Sequence, residues 1–373
     1  LNRPSWRRAL FAGFCLVLAE LSRPTWIILY PLFGVLWILW RFPTLKTVCW
    51  GRESAQFALT VVASAYILNL GYGFEGSFQK LSSYEFVSPT FTGALEAGSK
   101  SSSNRFNDSW LSALRVPLPR NYVLGLDVQK KDFDEPGWAY MRGTHRLGGW
   151  WYYYVYGLLV KVPAGTWLLA CLAAVATYQA VKIDSAWRDE LTLVLPILVI
   201  VVVVSSQSNQ CRHVRYCFGL LPLLFVWISK VASPLVPISH AIRALVVVCL
   251  CWNVASSLAC YPHTLSYFNE IAGGPRNGHF HLLNSNIDWG QDLLYLKRWI
   301  EDHPEARPVF TVYWGGASAN SIEPTFVAPP FRQMRSGPTK SGSGPVSPPP
   351  GRYAVSINRL CDESHPLPLS HDY

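Results

Sequence analysis

"LTLVLPILVIVVVV", residues 191–204, carries no charged side chain, and its flanks extend it to the length of a membrane span. A bilayer core asks for roughly 20 mostly apolar residues in one helix. "ALVVVCLCWNVASSLAC", 244–260, repeats the pattern. Working outward from these two runs, spans are expected near 9–22, 25–40, 54–71, 164–181, 190–206, 216–232 and 243–260. The first two are short, and "SRPT" at 22–25 separates them. Pro24 lacks a backbone donor and disfavours helix at Arg23, so a tight hairpin or a broken pair is expected there. Composition agrees: of 373 residues, 50% are hydrophobic and 15% charged, where a soluble domain carries about a quarter charged. The fold class read from this is mainly α, a polytopic transmembrane helix bundle of about seven spans, with a small extracytoplasmic α/β subdomain at its C-terminal end.

Basic residues set the orientation. Arg3, Arg7, Arg8, Arg41, Lys46, Arg52, Lys182, Arg188, Lys230 and Arg243 all fall on one side when the helices are counted alternately, and the positive-inside bias makes that side cytoplasmic. The net charge of +9 is explained by these loops. No basic face on a folded domain points to nucleic acid. The expected organisation is transmembrane helices over 1–72, an outer loop over 73–148, an interfacial helix with four spans over 149–260, and an outer subdomain over 261–373.

"GGWWYYYVYGLLVKVP", 148–163, concentrates Trp and Tyr, which favour the headgroup level of a membrane. Two readings stand: an amphipathic helix on the interface that turns into the membrane at Pro163, or one tilted span with an aromatic belt. Further on, "GQDLLYLKRWIEDH" spaces Leu293, Leu294, Leu296, Trp299 and Ile300 as a helix does. "PVFTVYW", 308–314, and "RYAVSIN", 352–358, alternate as strands, with a Pro- and Gly-rich linker over 334–351.

Nine cysteines are present. Most lie in apolar runs, where Cys acts as a small hydrophobe. Cys211, Cys217 and Cys260 fall near one face, which leaves a disulfide open there. No paired CxxC occurs, and "HFH" at 279–281 lacks further ligands, so no metal site is read from the residues.

Polar side chains gather at the outer ends of the spans. Arg142, His145, Arg146, Lys161, Asn209, Arg212, His213, Arg215 and Tyr216 supply cations and ring groups. His263, Tyr267, Asn269 and Glu270 follow, then Asn286, Asp288, Trp289, Gln291 and Asp292 in "NSNIDWGQD". Arg and Lys suit a lipid phosphate, and aromatic and amide groups suit a sugar. Each has a structural rival. Arg215 and Tyr216 could anchor a helix end, and Asp288 and Asp292 stand one turn apart at a helix start, where an acid complements the dipole or caps the helix.

Three stretches carry a resemblance: "DEPGWAYMRGTHRLGGWWYYYVYGLLVKVP" (134–163), "RHVRYCFGLLPLLF" (212–225) and "YPHTLSYFNEIAGGPRNGHFHLLNSNIDWGQDLLYLKRW" (261–299). "LAELSRPTWIILYP" (18–31) adds a fourth, where the family often has Lys in place of Arg23. The chain resembles the GT-C superfamily of lipid-carrier-dependent glycosyltransferases, which includes protein O-mannosyltransferases and aminoarabinose transferases, and within it the bacterial branch. The resemblance implies a polyprenyl-phosphate-linked sugar as donor, an acceptor hydroxyl on a protein, lipid or glycan, inversion at the anomeric carbon, and an active face on the periplasmic side of a bacterial inner membrane. It implies an acidic general base in a first outer loop, and a cation or divalent metal ion that stabilises the departing phosphate. No segment here matches that first helix and acidic loop, so the chain is expected to be N-terminally truncated and no catalytic base is nominated. On the resemblance, Arg215, Lys161 and His213 are assigned to donor phosphate. Asn286, Asp288, Trp289, Gln291, Asp292, Tyr267, Asn269 and Glu270 are assigned to the sugar or acceptor rim. A transporter or flippase for an anionic or lipid-linked solute would show repeated bundles and charges deep in the spans. Neither is seen, and a non-catalytic membrane subunit is the third reading.

Overall fold

Apolar runs bounded by charge wind into helices, because a helix satisfies its own backbone where no water can. The computed structural model describes residues 5–42, 49–93, 103–184, 187–232, 239–316, 318–323, 326 and 350–361. Among these, five helical segments are long and apolar enough to cross a membrane: Pro24–Arg41, Trp50–Gly71, Trp187–Ser206, Val214–Ala232 and His240–Ala259. The chain is thus a mainly helical membrane protein by helix length and composition. Of the seven spans expected, two differ. The helix Trp6–Ser22 has 17 residues, includes Arg7 and Arg8, and buries Glu20. The helix Ala164–Asp184 reaches the criterion only together with Tyr153–Lys161, and the two are bent by 109°. That bend falls at Val162–Pro163 and matches the reading in which the chain turns at Pro163.

Two compact units divide the chain: residues 1–136 with 177–200, and 137–176 with 201–373. These cut across the four consecutive stretches expected from sequence, because the helices Ala164–Asp184 and Trp187–Ser206 each contribute to both.

In the first unit, Trp6–Ser22 lies along Trp50–Gly71. Gly13 permits the approach: a Cβ there would meet the Thr60 carbonyl oxygen at 2.7 Å. The Thr60 hydroxyl donates to the Ala9 carbonyl at 3.1 Å. Arg23 is extended (φ −162°), so the break before Pro24 falls where the sequence places it. The expected outer loop 73–148 is more ordered than its sequence suggests. It holds the helix Arg120–Asp134, whose Tyr122 packs with Val17 and Leu68 and donates to the Glu20 carboxylate.

The second unit opens with a hairpin, strand β1 (Trp138–Met141) against β2 (Thr144–Leu147). Its turn residues Arg142 and Gly143 both have positive φ, 52° and 77°, as a two-residue hairpin with strand-matched twist requires. The C-terminal subdomain sets the helix Asp292–Asp302 beside a parallel pair, β3 (Val309–Val312) and β4 (Arg352–Val355), in the register Val309↔Arg352. Leu293 and Ile300 join Ala306, Val309 and Phe326 in its core, with Leu296 partly buried against them. Leu294 and Trp299, expected on the same face, are exposed. The linker expected at 334–351 lies outside the described residues except for Pro350 and Gly351. The disulfide left open among Cys211, Cys217 and Cys260 is not formed, and all three are buried free thiols.

Candidate functional site

The cluster in "NSNIDWGQD" is a joint, and Asn286 is its centre. The Asn286 side chain is 4% exposed. Its Oδ1 accepts from the Val214 backbone N–H at 3.1 Å. Its Nδ2 reaches the Arg212 and Leu283 carbonyls at 3.0 and 2.8 Å and the Tyr153 hydroxyl at 3.0 Å. One amide thus ties the start of the Val214–Ala232 segment to the start of Tyr153–Lys161 and to the approach to the helix Asp292–Asp302. Buried amides hold position this way because each group left unpaired would cost desolvation.

His213 is buried beside it. Its ring nitrogen shares a hydrogen bond with the Ser285 hydroxyl. Its ring meets Tyr216 at 5.7 Å and Trp289 at 5.3 Å, both edge-on. Trp289 in turn meets Trp314 at 5.5 Å, and its indole lies across Gly316, where a Cβ would come within 2.2 Å of Nε1. Lys161 donates to the Leu265 carbonyl at 2.8 Å and the Asn286 carbonyl at 2.6 Å, with its ammonium 4.3 Å from the Phe268 ring centroid. Two of its three donors are therefore held by backbone. Arg215, one residue into the apolar segment, is exposed. Arg212 turns the other way and donates to the Trp138 carbonyl at 3.0 Å.

Asp288 is 2% exposed and does the capping work open to it: its Oδ1 accepts from the N–H groups of Gly290 (3.0 Å) and Asp292 (3.3 Å). Gln291 folds back on the same turn, accepting from the Trp289 N–H at 2.9 Å and donating to the Ile287 carbonyl at 3.0 Å. Asn358, which the sequence reading did not single out, closes the joint. It accepts from the Asn284 N–H at 2.7 Å and donates to the Asp288 carbonyl at 3.2 Å. A lone Asn at the end of a strand pattern offers no signal for that role.

The remaining rim candidates divide. Asn269 is fully buried and structural: its Nδ2 donates to the Leu159 and Val162 carbonyls at 2.6 and 2.8 Å, and its Oδ1 caps a short turn at Ala272. Tyr267 and Glu270 meet at the Ser256 hydroxyl, the first at 2.8 Å. Burial opposes the Glu270 charge, but the hydrogen bond from Ser256 and others outweigh it and hold the carboxyl below its ordinary range. Arg142, His145 and Arg146 sit on the hairpin, where Arg142 is fixed by its backbone N–H to the His281 carbonyl at 3.0 Å. Among the described residues, no group of three or more His, Cys, Asp or Glu side chains is placed to hold a metal ion.

Burial raises the Asp292 carboxyl above its ordinary range, the Asp288 charge adds to this, and His263 opposes it. The folded state therefore binds this proton more tightly than the unfolded chain does. The resulting stability is present below the ordinary carboxylate value and is lost as pH rises through the raised one. Asp292→Asn is expected to raise the thermal midpoint at about pH 8, with the gain fading toward about pH 4. The gain is small because the group is half in solvent. Unfolding followed by tryptophan fluorescence across that range measures it, and a pH-independent difference would assign the effect to packing.

No protein-family model, curated protein or solved structure matches the chain.

Proposed function

We propose that the chain works as an integral membrane glycosyltransferase, moving a sugar from a polyprenyl-phosphate donor to an acceptor hydroxyl with inversion. This extends to the chain the activity that its resemblance to the GT-C superfamily implies, and with it a bacterial inner membrane and a periplasmic active face. One observation carries the reading. Asn286 binds together all three stretches in which the resemblance lies, 134–163, 212–225 and 261–299. The exposed Arg215 stands at the start of an apolar segment, in sequence between His213, whose ring meets Trp289, and Tyr216.

In this reading the acceptor oxygen attacks the anomeric carbon and the bond to the lipid phosphate breaks. Arg215 takes up the charge that develops on the departing phosphate, through donors aimed where it grows. Lys161, held by carbonyls, positions the joint. His213, with a nitrogen engaged by Ser285, orients Trp289. No residue of the chain is nominated as general base.

Arg215→Ala is expected to abolish transfer from a synthetic polyprenyl-phosphate sugar by purified protein, at least a hundredfold. Membrane insertion and the thermal midpoint should be retained. Transfer at the unmodified rate would remove Arg215 from the donor site. A purified protein that consumes no lipid-linked donor at all would overturn the reading.

A further inference from the structure

Behind the joint, the helix Asp292–Asp302 and the paired strands β3 and β4 line a half-open cavity of about 260 Å³. Small-molecule pockets begin at roughly 300 Å³, so the space suits a ligand the size of a single sugar ring. Five polar side chains line it: Asp288, Asp292, Thr311, Tyr313 and Ser356, whose hydroxyl already accepts from the Trp314 N–H at 3.2 Å. Thr311 is 5% exposed, comes from β3, and its hydroxyl has no hydrogen-bond partner among the described residues. The same holds for the buried Oδ1 of Asp292. Buried polar groups in native proteins are nearly always paired, so each exception asks for an explanation. These two face one space from opposite walls, one on a helix and one on a strand.

The unpaired groups say what kind of ligand would fit. A carboxylate oxygen accepts and cannot donate, so Asp292 wants a hydroxyl or ammonium hydrogen. Thr311 can either give or take. Asp288 has committed its Oδ1 to the backbone and stands beside the Tyr313 hydroxyl, which burial and that charge hold in its protonated, donating form. Apart from Ser356 the rest of the wall is aliphatic, with Leu293, Leu296, Ala354, Val355 and Ile357. A hydrated cation would meet this wall badly, since hard cations need about six oxygens around them. A pyranose offers hydroxyl donors on its edge and an apolar ring face.

We propose that the cavity between Asp292–Asp302 and the β3–β4 pair is a monosaccharide-binding site, with Asp292 and Thr311 contacting the hydroxyl edge and Leu293 and Leu296 the ring face. The site lies in the soluble subdomain and stands on the cavity alone, so it survives if the transferase reading fails.

Saturation-transfer NMR tests it on the full chain in detergent micelles, with the methyl glycosides of mannose, glucose, galactose and glucosamine as probes. At least one glycoside is expected to receive saturation from the protein and to saturate at millimolar concentration. Thr311→Val and Asp292→Asn are each expected to weaken its Kd about tenfold, the effect of one lost hydrogen bond to a buried partner. Arg215→Ala is expected to leave binding unchanged, which separates failure here from failure of the transferase reading. The proposal is overturned if no glycoside gives more signal than empty micelles. It is equally overturned if both cavity variants, folded by gel filtration and circular dichroism, bind as the unmodified chain does.

Discussion

Asn286→Leu is expected to lower stability by about 3–5 kcal/mol, the largest effect of any single polar substitution in the second unit. Leu has the same branched skeleton with bulkier methyl groups in place of the amide, so the cost is not a cavity. It comes from the partners left behind. The Val214 N–H loses its acceptor, and the Arg212 carbonyl and Tyr153 hydroxyl lose a donor, all in a region closed to water. Each such group costs about 1–3 kcal/mol when buried unpaired. Lys161 adds to the loss, because its ammonium is anchored on the Asn286 carbonyl, whose position depends on the same side chain. The check is thermal unfolding of the detergent-solubilised protein. A midpoint within a degree of the unmodified chain would show that these bonds do not hold the joint.

Gly149→Ala is expected to cost about 2–4 kcal/mol, for two reasons that add. The residue has φ +57°, a conformation that an L side chain adopts at a cost of roughly 1–2 kcal/mol. A Cβ would also stand 2.6 Å from the Ser208 carbonyl oxygen and 2.5 Å from the Cys211 sulfur. The first of these is backbone and cannot swing aside. Gly143→Ala is the control: it has φ +77° but open space around it, so it should lose only the conformational part. Equal losses at the two positions would show that the close approach at Gly149 relaxes without cost.

The two glycines illustrate what a sequence displays. "GGWW" marks a turn, and that much is legible from residue type. That Gly149 lets a remote segment, 208–211, come within contact is not, because nothing local records the neighbour. The hairpin Trp138–Leu147 was missed for a different reason. Its "MRGT" turn carries one glycine where the usual signal is Asn-Gly or Asp-Gly, and Arg142 takes the other positive-φ place. The helix Arg120–Asp134 was read as loop because its mean hydropathy is low. Its burial depends on Tyr122 and Asp127, a single aromatic and a single acid.

The candidate residues divide along the same line. Arg215 was nominated because a cation at the end of an apolar run is a local pattern. Asp288 was read with two roles open, and its Oδ1 accepts from the N–H groups of Gly290 and Asp292 at the helix start, as the structural role requires. Lys161 was grouped with Arg215 by its charge and by the resemblance. Only the fold shows its ammonium turned onto two carbonyls. Thr311 and Tyr313 were plain strand residues in the sequence and became cavity walls once β3 lay opposite the helix Asp292–Asp302.

The sequence by itself determined that this is a membrane protein of apolar helices, that the chain breaks before Pro24, and that a small helix-and-strand subdomain follows position 261; at Pro163 it left a turn and a tilted span both open, and the 109° bend there decided for the turn. Those features depend on solvent preference and backbone restriction, which are properties of each residue and its near neighbours. Tertiary structure alone decided which polar groups pair. Asn286 meets Val214 across 72 positions, and the Asp292 Oδ1 and the Thr311 hydroxyl line one cavity with no hydrogen-bond partner among the described residues. A hydrogen bond depends on direction and on a distance of about 3 Å, and those are fixed only when remote segments are packed.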